Sequence, residues 1–408
     1  MTRLLFSTQP DAALGTELTR LRSLPKPEPF APELRDFVCE FSRRVMALPQ
    51  LRQYPELATL AHWFRPAALA HLAERVSPQA QRRQLARGLV FHLAPANVDV
   101  LFAYAWLLSL LCGNVNIARL SQKPAAQRDA LISILHAMAQ EPCFAPVAAR
   151  SVFLTYPHNA AITAEISAAC HARIIWGGDQ TVATIRAIPL APLAVELAFP
   201  DRFGVSAFKA TALLALSDTE LAELTRRFCN DTLWFGQQAC SSPRSLYWVG
   251  SLDEVHAAQQ RFWPVLRQQA HNGFPDEPAA LLARIADAHV LAAQSPTLQL
   301  RDTLSDYPLR LQDETVDATL REQQSGYGLL IETRLNTLPE LAALLDDRDQ
   351  TLVQLGFTQD ELDSLLTVLH HRAIDRIVPV GRALDFDPVW DGIDLLHILT
   401  RHITLPAH

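Results

Sequence analysis

The sequence predicts an α/β protein with two doubly wound parallel-sheet domains behind a helical N-terminal region. Three observations carry this. Short apolar runs alternate with helical segments from about residue 85. A second alternating block begins near Arg202. The first 84 residues lack this alternation and read as helices punctuated by proline.

In the N-terminal region, Leu34, Phe37, Val38, Phe41 and Val45 recur at three- and four-residue spacing, the apolar stripe of a buried helix face. Pro25, Pro27, Pro29 and Pro32 form a stiff extended lead-in to it. No chemistry is visible there.

In the first block, Leu89–Leu93 is a strand and Ala94–Asn97 a turn. The apolar helix Val98–Cys112 stops at Gly113-Asn114. A strand follows at Val115–Leu120, and Pro124 opens a helix over Ala125–Gln140. Then come a strand at Ser151–Leu154, a helix at Ile162–Cys170 and a strand at Ala172–Trp176 ending on Gly177-Gly178. No GxGxxG motif follows any strand, so the ordinary dinucleotide fingerprint is missing.

The second block has strands at Val205–Phe208 and Ser245–Val249, and a helix at Asp218–Asn230 with Asp218 as its cap. Helices follow at Ser251–Gln269 and Pro278–Ala293. Residues 297–313 are strand-rich, and Tyr327–Glu332 is a strand. Helices at Leu338–Leu345 and Gln359–Leu369, a strand at Arg376–Val380, and a final helix or turn at Trp390–Arg401 complete the chain. The domain expectation is a helical region over 1–84, a cofactor-binding domain over 85–203 and a catalytic thiol domain over 204–375. Residues 376–408 are expected to pack back on the cofactor-binding, oligomerisation side.

Composition narrows the function. The 408 residues carry a net charge of -7 and no Lys/Arg block, which argues against a nucleic-acid partner. The six cysteines show neither CxxC nor zinc spacing, so no metal site is expected. The most apolar stretch, Val98–Cys112, is too short for a membrane span, which needs roughly 20 residues. The N-terminus has no signal-peptide run. The expectation is a cytoplasmic protein with reduced thiols.

The chemistry concentrates at Cys240, within Phe235-Gly236-Gln237-Gln238-Ala239-Cys240-Ser241-Ser242-Pro243-Arg244. A thiolate is a strong nucleophile toward carbonyl carbon. Small neighbours leave room for a substrate, and a turn frees N–H groups for an oxyanion. Taken alone, a free cysteine is more often a small core hydrophobe.

Six ordered runs change that balance: Phe91–Val98, Leu110–Asn114, Ile175–Gly178, Phe199–Arg202, Gln237–Arg244 and Trp390–Gly392. Their order resembles the aldehyde dehydrogenase superfamily. Within it, the chain resembles the long-chain acyl-CoA reductase family, of the bacterial bioluminescence fatty acid reductase type, over about residues 85 to 400. The resemblance implies an aldehyde-dehydrogenase-like fold and NADPH-dependent reduction of an acyl thioester to an aldehyde. Cys240 matches the nucleophile. Asn97 matches the amide that, with the nucleophile's backbone N–H, holds the oxyanion. Arg119 and Ser121 fall near the adenosine ribose, where Lys123 and Arg128 add positive charge. Gly177 and Gly178 fall where a helix N-terminus receives the pyrophosphate.

Glu196 matches the general base of the oxidative enzymes, but its context, Glu196-Leu197-Ala198-Phe199, departs from their Glu-Leu-Gly-Gly. Cys240 is also one residue further from Gly236 than in those enzymes. Both departures favour reduction. The alternatives are an oxidative aldehyde dehydrogenase on the same thiol and a non-catalytic acyl-binding subunit of a multienzyme complex. The implied partners are an acyl-CoA or acyl-protein donor, an acyl-protein synthetase and a second copy of the chain in a homo-oligomer.

Overall fold

The computed structural model describes residues 2–76, 82–94, 100–313 and 318–406. The chain divides into two compact units. One comprises Met1–Pro200 with Phe386–His408, the other Asp201–Asp385.

The first unit is built on a six-stranded sheet. Its strands are β1 (Arg3–Phe6), β3 (Leu89–Leu93), β4 (Val115–Arg119), β5 (Ser151–Thr155), β6 (Ala172–Trp176) and β7 (Val195–Phe199). A further strand, β2 (Arg82–Ala86), lies outside the sheet. The order is β1-β5-β4-β3-β6-β7, parallel except for β1. Chain order runs outward from β3 to β4 and β5, then crosses back to β6 and β7. The carboxyl ends of β3 and β6 therefore flank a topological switch point, where open α/β sheets bind ligands.

The helix Leu101–Leu111 joins β3 to β4 and is buried nearly all round, as an apolar sequence without a polar face requires. It ends at Gly113 (φ 82°), where a Cβ would lie 2.5 Å from the Pro27 carbonyl oxygen. Asn114, fully buried, accepts from the Gly88 N–H (2.8 Å) and donates to the Leu399 carbonyl (2.8 Å). Arg150 donates to the carbonyls of Gly113 and Pro25. This knot ties the proline lead-in and the C-terminal segment to the sheet.

The second unit carries a seven-stranded sheet: β8 (Phe203–Lys209), β9 (Pro243–Val249), β10 (Gln299–Leu300), β11 (Leu309–Gln312), β12 (Leu329–Leu335), β13 (Asp349–Leu355) and β14 (Arg376–Pro379). The order is β10-β11-β12-β9-β8-β13-β14, and only β10 is antiparallel. Alternate side chains feed two cores. Tyr247 joins Ala288, Leu291 and Leu365 on one face, while Trp248 joins Phe228, Phe262 and Leu266 on the other. Both faces are thus covered by helices, the doubly wound arrangement.

Three expectations are corrected. The helix Asp218–Leu233 is capped by Ser217, whose hydroxyl accepts from the Glu220 N–H in a capping box, and Asp218 is its first residue. Trp390–Arg401 is not one helix. It holds a hairpin of β15 (Val389–Trp390) and β16 (Ile393–Asp394), the helix Leu395–Leu399 and β17 (Thr400–Thr404). Asp391 and Gly392, at φ 48° and 70°, make the two-residue hairpin turn. Finally, the N-terminal region is not wholly helical. It contributes β1, and β2 pairs antiparallel with β17.

Candidate active site

Cys240 sits in the second unit, in the turn that enters β9. The approach to it is unusual. After the helix Asp218–Leu233 the chain passes through three consecutive left-handed residues, Phe235, Gly236 and Gln237 (φ 54°, 60° and 64°). For the two with side chains this conformation costs roughly 1–2 kcal/mol each. The sequence tolerates it because the loop is clamped. Fully buried Gln237 donates through Nε2 to the carbonyls of Pro243 (2.7 Å) and Leu329 (3.0 Å), and its Oε1 accepts from the Gly328 N–H (2.8 Å).

The opposing turn is itself left-handed at Gly326, Tyr327 and Gly328 (φ 87°, 55° and 83°). Its Tyr327 N–H donates to the Gly236 carbonyl (2.9 Å), and the Gln238 amide donates to the Ser325 carbonyl. Arg284, fully buried, holds this turn from behind by donating to the Tyr327 carbonyl (2.8 Å) while paired with Asp276. Beneath the nucleophile turn, Gly204 of β8 leaves no room for a side chain: a Cβ there would lie 2.3 Å from the Ser241 carbonyl oxygen. The result is a rigid platform on which Cys240 is half-exposed while Ser241 and Ser242 are buried.

Four of the other five cysteines are less suited to attack. Burial pushes the Cys170 thiol up to about 11 and the Cys229 thiol to about 12, and raises that of Cys112 further still. Burial and the neighbouring Asp36 raise Cys39 as well. Cys143 is exposed, and no cysteine is in a disulfide.

In the first unit, the candidate cofactor residues gather at the carboxyl edge of the sheet. Arg119 ends β4, and Gly177-Gly178 follow the end of β6. Only β3 lies between these strands, so the two positions are two strand spacings apart, about 10 Å. Arg119 stacks over the Tyr156 ring at 5.0 Å and donates to the Tyr156 carbonyl (3.3 Å), but its buried Nε has no partner. The Ser121 hydroxyl accepts from the Lys123 N–H (3.2 Å). Arg128 is committed to Asp129 and to the carbonyls of Ser121 and Lys123, whereas Lys123 is exposed.

Gly178 is the N-cap of the helix Asp179–Arg186, which has no side-chain cap, and the space where a Cβ would stand is open to 4 Å. An uncapped helix N-terminus beside a bare glycine fits a phosphate group. Asn97 lies outside the described residues. Among the described residues, no group of three or more His, Cys, Asp or Glu side chains could hold a metal ion, and no helix is long and apolar enough to cross a membrane.

The family model for acyl-CoA reductase (LuxC) matches residues 66–304, more than half of the chain. The chain belongs to the acyl-CoA reductase (LuxC) family. It is thus an oxidoreductase of aldehyde-related chemistry. No significant match to curated protein sequences is found.

Solved structures place the fold of this acyl-CoA reductase among the aldehyde dehydrogenases. Glyceraldehyde-3-phosphate dehydrogenase GapN from Methanocaldococcus jannaschii, complexed with NADP, aligns with a TM-score of 0.62 at 13% identity. The alignment covers 96% of this chain and 91% of that one. Aldehyde dehydrogenase 21 from Physcomitrella patens, complexed with the product succinate, aligns with a TM-score of 0.69 at 10% identity, covering 96% and 88%. An NAD-dependent benzaldehyde dehydrogenase from Corynebacterium glutamicum aligns with a TM-score of 0.63 at 12% identity, covering 96% and 87%.

Glu196 is committed to ion pairs within the first unit. It is the second residue of β7, in register with Arg173 of β6 and toward the amino end of both strands. Its carboxylate accepts from buried Arg173 (Nε at 2.6 Å, with Nη2 also bonded) and from Arg186 (3.1 Å). Arg173 is only 2% exposed and needs this counter-charge. Sequence reasoning also passed over Gln237, Gly204 and the turn at Gly326–Gly328. The signals were present, an amide doublet beside a nucleophile and a Gly-Tyr-Gly turn, but their pairing across about ninety residues has no local signature.

Proposed function

We propose that the chain reduces an acyl thioester, acyl-CoA or acyl-protein, to an aldehyde through an acyl-enzyme on Cys240, with NADPH as reductant. The observation that carries this reading is the clamped left-handed loop that presents Cys240 at the mouth of β9. Such stored strain is characteristic of functional sites.

The Cys240 thiolate attacks the acyl carbonyl carbon. A new C–S bond forms, the carrier's C–S bond breaks, and the carrier leaves as a thiolate that takes up a proton from solvent. Backbone N–H of Cys240 and, by the family resemblance, the Asn97 amide receive the oxyanion. Each such donor contributes on the order of 3 kcal/mol. A reduced nicotinamide, when bound, would supply a hydride for the acyl carbon. The thiohemiacetal on Cys240 then collapses, releasing aldehyde and restoring the thiolate.

Arg119, Ser121, Gly177 and Gly178 are the residues that would hold the cofactor. The unpartnered Nε of Arg119 and the exposed Lys123 supply positive charge for a 2′-phosphate, which favours NADPH. Arg128, already paired, is left out of this role. Glu196 is read as structural, which removes the base that an oxidative enzyme would use to hydrolyse the acyl-enzyme.

The test is single-turnover acylation with radiolabelled acyl-CoA, followed by NADPH or NADH. Label is expected on Cys240, absent from Cys240→Ala, and discharged as aldehyde faster by NADPH. Asn97→Ala is expected to slow acylation about 10²-fold. Label on another cysteine, or discharge as free acid alone, would overturn the proposal.

A further inference from the structure

A cavity of about 940 Å³ lies in the Asp201–Asp385 unit, lined by the helix Leu252–Gly273, by Arg310 and Gln312 of β11, by Arg334 of β12 and by Arg301 just after β10. None of its described lining residues belongs to β9 or to the Cys240 turn before it, so the cavity is distinct from the nucleophile platform.

Its wall is strongly basic. Among the described residues, Arg267, Arg301, Arg310 and Arg334 line it, against a single carboxylate, that of Asp313. Two of the four arginines are neutralised from behind. Arg267 pairs with Asp302. Arg310 pairs with Asp302 (3.1 Å) and with the buried Glu332 (3.4 Å). Among the described residues, the bonds of the other two go to neutral oxygens. Arg301 donates to the Gln312 amide oxygen (2.7 Å). Arg334 donates to the Asn336 amide oxygen (2.7 Å) and the Gly250 carbonyl (3.2 Å).

Further polarity is built into the floor. Glu332 accepts from the indole N–H groups of both Trp248 (2.8 Å) and Trp263 (3.0 Å), which fixes it behind Arg310. Trp263 in turn lies under the guanidinium groups of Arg267 (5.6 Å) and Arg310 (5.2 Å). The nitrogens Arg310 Nε and Arg284 Nε are both buried without a hydrogen-bond partner, but only Arg310 belongs to this wall. The basic wall is thus held rigid by groups that do not cancel its outer two charges.

We propose that this cavity is a binding site for a dianionic phosphate group, with Arg301 and Arg334 as its principal ligands and Arg310 behind them. Two guanidinium groups with no carboxylate partner among the described residues match a dianion better than a monocarboxylate, and their fork of donors suits phosphate oxygens. Leu252, 70% exposed, and Val255 give the same cavity an apolar shoulder, suited to the organic part of a phosphate ester.

The test is calorimetric titration of the full chain with inorganic pyrophosphate at constant ionic strength. Wild type, Arg301→Gln/Arg334→Gln, Arg301→Lys/Arg334→Lys and Arg119→Gln are compared, with a melting curve for each. The proposal expects a saturable component that the double glutamine variant weakens at least tenfold. The lysine pair should restore part of it, and Arg119→Gln, at the separate candidate cofactor edge, should retain it. The melting curves should superimpose, because the described partners of the two arginines are neutral oxygens. Identical isotherms for wild type and the double glutamine variant would overturn the assignment, as would loss of the component in Arg119→Gln alone. Acetate at equal concentration should not compete; competition at equal strength would overturn the preference for a dianion.

Discussion

Replacing Gln237 with leucine keeps the volume of a fully buried side chain and deletes its amide. The Pro243 and Leu329 carbonyls lose a donor, and the Gly328 N–H loses its acceptor. An orphaned buried polar group costs about 1–3 kcal/mol, so three of them cost roughly 3–9 kcal/mol if nothing moves. The left-handed conformation of Phe235 and Gln237 itself costs about 2–4 kcal/mol over the two residues. Without the clamp, the loop gains by leaving that conformation, and Cys240 moves with it.

The expected result is at least a hundredfold slower acylation of Cys240 and a lower melting temperature. Gln237→Glu should behave similarly, since a carboxylate keeps the bond to Gly328 but faces two carbonyl oxygens. The assay is alkylation by iodoacetamide resolved by mass spectrometry, with exposed Cys143 as internal reference. The ratio of Cys240 to Cys143 labelling should change several-fold in Gln237→Leu. If the protein melts earlier but that ratio and the acylation rate stay at wild-type values, Gln237 is a prop for the fold and does not position the nucleophile.

Two further outcomes follow from the first unit. Glu196→Ala strands Arg173 in the core, so it should destabilise the protein by about 3–5 kcal/mol. Below its melting transition, single-turnover reduction should stay within about tenfold of wild type; loss of reduction with an unchanged melting curve would make Glu196 a chemical participant. His92, buried and bonded to Asn116 (3.0 Å), is held by burial down to about 4 against an ordinary 6.5. It stays neutral in the fold where the unfolded chain binds a proton, so its contribution is complete above pH 6.5. That contribution is lost progressively as pH falls toward 4, a loss of about 3 kcal/mol. Urea midpoints from pH 4 to 7.5 should show this acid limb, and His92→Gln should flatten it; an unchanged limb would assign it elsewhere.

Central strands were readable because parallel strands buried on both faces appear as apolar runs: Leu89–Leu93 and Ala172–Trp176 are buried at every position. β13 escaped the same reading. Its Asp349, Gln350 and Thr351 are buried, but only because Arg321 pairs with Asp349 and Thr351 bonds to Gln350. Sequence shows the polarity and hides the partners. β7 escaped for a related reason, since an edge strand carrying Glu196 has meaning only once Arg173 lies beside it. β2 and β17 are only partly buried and find each other across more than 300 residues, with no local pattern to announce the pairing. At the site, the thiol and its small neighbours were legible, whereas the clamp that makes the loop rigid was not. Gln237 and Gly328 are ninety-one positions apart.

The same accounting of partners bears on the fate of an acyl-enzyme. Its survival until hydride arrives requires that no carboxylate be free to activate water. Several described carboxylates are engaged. Asp287 accepts from both the N–H and the hydroxyl of Ser325, on the turn that clamps Gln237. Asp231, at the end of the helix leading into the loop, accepts from the N–H groups of Gly381 and Ala383, and burial lifts it to about 7. Asp276 is tied to Arg284. In the other unit, Glu196 is shared between two arginines. A general base is worth about 10² to 10⁴ in rate, so withholding one lengthens the thioester's life by a comparable factor. An enzyme that returns its acyl group as aldehyde gains from that restraint, whereas one that returns it as acid would be slowed by it.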